Sequence, residues 1–254
     1  MKSLNLVKRL KTDPLYLLSF LLPTLIMLVI FVIQKIYPFG DRSFLHIDMY
    51  HQYFPFLVEF YHKLKDGESL FHSWHTGIGS NFIALYAYYL ASPFNWLCVL
   101  IPEKFLMEFL SYMVVFKIGF CGLTFTYYIR KHFHSDSWSI LCFSLFYALS
   151  GFMAAYNWDV MWLDVIVLAP LILLGVERLV HEGKCYMYCI TLGLSILSNY
   201  YLSIMLCIFL VLYFFVLLIA RKPSAEDSSA PLTFPKLEGI KNFYAKAVIR
   251  FGIY

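Results

Sequence analysis

The chain has 254 residues, of which 61% are hydrophobic and 14% charged, with a net charge of +4 and a mean hydropathy of +0.69. Soluble domains run at roughly 45–50% apolar and about 25% charged, so one soluble core cannot hide this much apolar surface. Lipid is the natural solvent for the excess, and the expected fold class is an all-α polytopic transmembrane helix bundle with the bilayer as its first partner and no nucleic acid.

The first 14 residues carry Lys2, Lys8, Arg9 and Lys11 against Asp13, and Pro14 opens an apolar run over 15–33. At about 1.5 Å per residue this run covers a hydrocarbon core of roughly 30 Å. The basic flank places the N-terminus in the cytoplasm of a bacterial cell membrane, and the run is too long for a cleaved signal. A long outer loop follows over 37–104. Its first part holds His46, His51, His62, His72 and His75. Within it Tyr53, Phe54, Phe56, Leu57, Phe60, Tyr61 and Leu64 recur near helical spacing, which predicts an amphipathic helix lying on the membrane surface.

The apolar stretch 82–101 is broken by Ser92-Pro93. If it crossed, Arg130, Lys131 and the later basic loops would fall outside, so the charge rule favours a re-entrant segment. Spans are then expected at 105–129, 138–156 and 165–179. The run 185–220 is interrupted by Ser198-Asn199-Tyr200 and splits into two more, about six spans in all. The transmembrane domain is thus 1–220. Residues 221–254 form a cytoplasmic linker and the start of a possible further span. The six cysteines all lie in apolar stretches and form neither a disulfide framework nor paired CxxC ligands.

This topology gathers Asp41, Asp48, Asn157, Asp159, Asp164, Asn199 and Tyr200 on the non-cytoplasmic side. Carboxylates there can act as a general base or bind a hard divalent cation such as Mg or Mn, and they can equally be plain solvated loop residues. Asp159 and Asp164 are five apart, which splays them by roughly 140° on one helix. Lys117 lies near the middle of its span, where a bare charge costs several kcal/mol, so it either meets a lipid phosphate or pairs with a buried polar group. His72 and His75 are three apart, yet Trp74 and Gly77 beside them suggest a loop. Tyr86, Tyr88 and Tyr89 suit an interfacial belt, or contact with sugar or prenyl groups. Gly119 and Gly122 suit close helix packing.

The run Asp48-Met49-Tyr50-His51-Gln52-Tyr53 resembles the Asp-x-x-x-Gln-Tyr element of the YfhO-like bacterial membrane proteins. So does Trp74-His75-Thr76-Gly77-Ile78-Gly79-Ser80-Asn81, followed by Tyr88-Tyr89-Leu90-Ala91-Ser92-Pro93-Phe94-Asn95. Asn157 with Met161-Trp162-Leu163-Asp164 and Pro170-Leu171 completes four pieces in order, from about residue 12 to 220. The family is similar in architecture to polytopic GT-C glycosyltransferases. The resemblance implies transfer of a sugar from a polyprenyl-phosphate donor to an envelope polymer acceptor such as lipoteichoic acid. It implies Asp48 as catalytic base, Gln52 and Tyr53 orienting it or touching sugar, and Asp159 or Asp164 positioning the acceptor or holding a divalent cation. Asn157, Asn199, Tyr200 and Lys117 are the further expected substrate contacts. Family members are longer, so this chain reads as an N-terminal portion of one. The competing readings are a transporter or flippase for a lipid-linked substrate, and a non-catalytic membrane fragment.

Overall fold

The computed structural model describes residues 13–220 together with 248, 249, 251 and 252, so the N-terminal basic flank and nearly all of the linker expected at 221–254 lie outside the described residues. Nine α-helices appear among them. These are α1 Pro14–Ile33, α2 Phe54–Asp66, α3 Phe82–Leu85, α4 Leu106–Phe133, α5 Ser139–Ala148, α6 Gly151–Tyr156, α7 Val160–Glu182, α8 Tyr186–Ser198 and α9 Tyr200–Ala220. Five stretches are long and apolar enough to cross a membrane: α1, α4 with its lead-in, α5 joined to α6, α7, and α9. The apolar α8, counted as a further span in the sequence reading, has 13 residues and is shorter than these.

Helix α1 starts at Pro14 because the Asp13 side chain accepts the Leu15 N–H at 3.0 Å and proline needs no partner at the first helical position. It packs antiparallel to α4. Arg130, near the end of α4, pairs with Asp13 and with Asp136 at one end of the bundle. At the other end the Tyr112 hydroxyl donates to the Tyr37 carbonyl at 3.3 Å, and Phe31 meets Tyr112 at 5.7 Å. The middle of the pair is drawn tight by glycine. A Cβ on Gly122 would collide with the Ser19 carbonyl, and one on Gly119 would collide with Thr24 Oγ1. The glycines are packing residues, in agreement with the sequence reading.

Because α1 ends and α4 begins at the same end, everything between them starts and finishes there. Phe82–Leu90 and the 3-10 helix Pro93–Leu100 meet at 102°. Phe94 reaches down to the Phe120 ring at 5.9 Å and lies 5.9 Å from the Lys117 ammonium, well inside the bundle. The segment bends sharply between two helices that share one end, in keeping with the re-entrant reading that the charge rule favoured. Its buried Asn95 donates to the Leu90 carbonyl at 3.1 Å, restoring an acceptor freed at the bend.

Two elements differ from the sequence reading. The amphipathic helix exists as α2, but its apolar face is spent on protein. Phe60, fully buried, meets Tyr86 and Trp96, each at 5.4 Å, and Leu57 and Tyr61 are buried with it. Lys63 on the same helix is also buried, its ammonium held by the Ser69 and His72 carbonyls at 3.1 and 2.9 Å and near Glu59 at 3.5 Å. Lys63 therefore ties down the chain leading to a short hairpin, β1 His72–Ser73 and β2 Ser80–Asn81. The span expected at 138–156 is broken into α5 and α6, where Leu149 leaves helical geometry and Ser150 is extended. Ser150-Gly151 supplies weak helix formers at that point.

Candidate functional site

The end of the bundle opposite Arg130 carries a mouth built from three separate parts of the chain. A wide π-type turn, Met49–Tyr53, leads into α2 and presents Asp48, Gln52 and Tyr53. The turn between α6 and α7 presents Asn157, Trp158 and Asp159. The turn between α8 and α9 presents Asn199, Tyr200 and Tyr201.

Asp159 is the centre. It is 2% exposed, and its Oδ1 accepts the Tyr53 hydroxyl at 2.6 Å across 106 residues of sequence. Its Oδ2 is buried with no protein partner, and so is Asn157 Oδ1 two residues earlier. A buried acceptor without a donor is costly. Burial pushes the Asp159 carboxyl above the usual carboxylate range. The Tyr53 bond works against that shift, and the charge of Asp48 adds to it. The Tyr53 phenol is raised as well, first by burial and then by Asp159 and Asp48. Asp48 itself is exposed and, although it begins the π-type turn, its side chain caps nothing.

Aromatic rings wall the mouth. Tyr53 stacks on Trp158 at 6.4 Å and meets Tyr89 at 5.5 Å, with Gln52 beside the Tyr89 hydroxyl. Tyr88 touches Tyr89 at 4.6 Å, Tyr200 at 5.7 Å and Tyr201 at 6.4 Å. Trp162 continues the wall to Tyr201 at 6.1 Å. The re-entrant segment is locked in place by Asn199, fully buried, whose amide donates to the Tyr88 carbonyl at 3.3 Å while its oxygen accepts the Leu202 N–H at 2.9 Å. Asn199 is therefore a positioning residue for the wall.

The structure separates Lys117 and Asp164 from this group. Lys117, 1% exposed, donates to Asp164 Oδ2 and to the Val160 carbonyl, both at 2.9 Å. Of the two roles open to Lys117 in the sequence, the buried pairing is the one observed. It also removes Asp164 from any shared cation site with Asp159. Among the described residues no group of three or more His, Cys, Asp or Glu side chains could hold a metal ion.

Sequence reading gathered Asp41, Asp48, Asn157, Asp159, Asp164, Asn199 and Tyr200 on one side of the membrane; the structure brings Asp48, Asn157, Asp159, Asn199 and Tyr200 to one mouth with Gln52 and Tyr53, but leaves Asp164 on Lys117 and Asp41 in a separate hollow with Arg42 and Glu108. It missed the Tyr53–Asp159 bond and the contribution of Trp158 and Tyr201. The aromatic richness of the three turns was the available signal.

No curated protein and no solved structure matches the chain. The family model of the bacterial membrane protein YfhO matches residues 19–251, a stretch that contains the mouth and the re-entrant segment, and the chain belongs to that family.

Proposed function

We propose that the mouth transfers a sugar from a polyprenyl-phosphate carrier to a hydroxyl of an envelope polymer, on the side of the membrane away from the cytoplasm. The observation that carries this reading is the buried, half-satisfied Asp159 inside a ring of aromatic side chains, with the exposed Asp48 beside it. Two buried acceptors without protein donors, Asp159 Oδ2 and Asn157 Oδ1, suit a ligand rich in hydroxyl donors. Tyr and Trp faces suit the apolar faces of a sugar ring. The orientation is supported by the short loops at the opposite end, which carry Arg130, Lys131 and Lys184.

In this mechanism Asp48, solvent-facing and free of capping duty, takes the proton of the acceptor hydroxyl. The acceptor oxygen forms a bond to the anomeric carbon as the bond from that carbon to the carrier phosphate breaks, and the phosphate departs with the electron pair. Asp159 and Asn157 hold sugar hydroxyls, and Tyr53 fixes the Asp159 rotamer through its 2.6 Å bond. Gln52 and Tyr200 complete the rim. Lys117 and Asp164 hold α4 against α7 below it, which weighs against a transport passage along Lys117.

The test is sugar transfer by membranes carrying the full chain. Asp48→Asn abolishes transfer while insertion and abundance stay at wild-type levels. Transfer that survives Asp48→Asn unchanged overturns the assignment of the base.

A further inference from the structure

A polar cavity lies at the other end of the bundle, about 18 residues of α7 away from the mouth, or roughly 27 Å at the helical rise. It has a volume of about 440 Å³, and Lys131, His132, His134, Arg178 and His181 line it together with Glu177, Glu182, Leu174 and Leu217. That size suits a headgroup.

The two carboxylates in this wall are already engaged. Glu177 is buried, and its Oε1 accepts the Tyr213 hydroxyl at 2.5 Å, the Tyr128 hydroxyl at 3.1 Å and His132 Nδ1 at 2.8 Å. Glu182 pairs with Lys184 at 2.7 Å. Lys131 is exposed and its ammonium lies over the Tyr127 ring at 6.0 Å. Among the described residues the Arg178 guanidinium donates to the Met187 sulfur at 3.5 Å. A thioether is a weak acceptor, so an oxyanion is a stronger partner for the guanidinium than that sulfur.

Leu217 sets the cavity against the packed face of α9, which it shares with Leu210, Tyr213 and Phe214. We propose that this cavity binds the phosphate group of an anionic headgroup, with the cations of α4 and α7 as its partners. The proposal uses no residue of the mouth and stands or falls separately from sugar transfer.

The test uses the purified full chain in detergent, titrated with short-chain phosphatidylglycerol, with phosphatidylcholine and with inorganic phosphate, and read by native mass spectrometry. The expected result is preferential retention of phosphatidylglycerol, weakened about fivefold for each cation removed in Lys131→Gln and Arg178→Gln. Lys104→Gln, exposed just before α4 at the mouth end, leaves it unchanged. Lys131→Gln alone keeps the test valid if Arg178→Gln fails to fold, since Lys131 is exposed. Inorganic phosphate that binds with the same variant sensitivity while the two lipids are retained equally rejects the lipid source. Phosphatidylglycerol binding that is indifferent to Lys131→Gln overturns the site.

Discussion

Replacing Lys117 with Met removes an ammonium and keeps most of the side-chain volume, so the loss is electrostatic rather than a cavity. What remains is Asp164, a carboxylate sealed inside the bundle at 3% exposure, without the ammonium that stood 2.9 Å away. Breaking one partner of a buried pair costs about 3–5 kcal/mol, whereas replacing both partners with apolar residues is often close to neutral. At roughly 2–4 °C per kcal/mol for a chain of this size, Lys117→Met lowers the melting temperature by roughly 6–20 °C. Adding Asp164→Leu recovers most of that loss. The assay is thermal unfolding of the detergent-solubilised single and double variants, with transfer activity measured per folded molecule. A Lys117→Met protein as stable as wild type, with activity lost, would refute the structural pairing and return the ammonium to a ligand.

Asp159→Asn keeps an acceptor for the Tyr53 hydroxyl and removes a carboxyl whose titration burial has shifted upward. A raised folded pKa means that the folded state holds the proton more tightly than the unfolded chain. Its stabilising contribution is complete below the unfolded value and is lost as pH rises through the folded one. Thermal scans from about pH 4 to about pH 8 therefore find Asp159→Asn gaining on wild type as pH rises, while sugar transfer falls; a flat difference contradicts the burial of an unsatisfied carboxylate. Gly122→Leu drives a side chain into the Ser19 carbonyl and separates α1 from α4, costing about 1–3 kcal/mol or more in thermal stability. Unaltered melting would mean that the two helices do not approach as described.

Much of the membrane architecture was legible because span length is set by bilayer thickness and helical rise alone. Asp13-Pro14 marked the start of α1, and Arg130 and Lys131 marked the end of α4 well enough to favour a re-entrant 82–101. Local pattern could not say what covers a helix. The face of α2 that reads as lipid-seeking is covered by Tyr86 and Trp96 of the re-entrant segment. Partners far apart in sequence were illegible for the same reason. Lys117 and Asp164 are 47 residues apart, Tyr53 and Asp159 106 apart, and only the packing of α4 on α7 and of the π-type turn on the α6–α7 corner joins them. Glu177 shows the limit in another way: an acid in an apolar run announces that donors must surround it, but not that they come from α4 and α9.

Sugar transfer at the mouth requires Asp48 and the basic cavity to face opposite sides of the membrane. Cysteines placed singly at Asp48 and at His134, in a background without the native thiols, report this directly when intact cells meet a membrane-impermeant maleimide. Position 48 reacts at once and position 134 reacts only after permeabilisation. Labelling of position 134 from outside, with position 48 protected until the cells are opened, would invert the topology and remove the enzyme from the side where its carrier-borne substrate is presented.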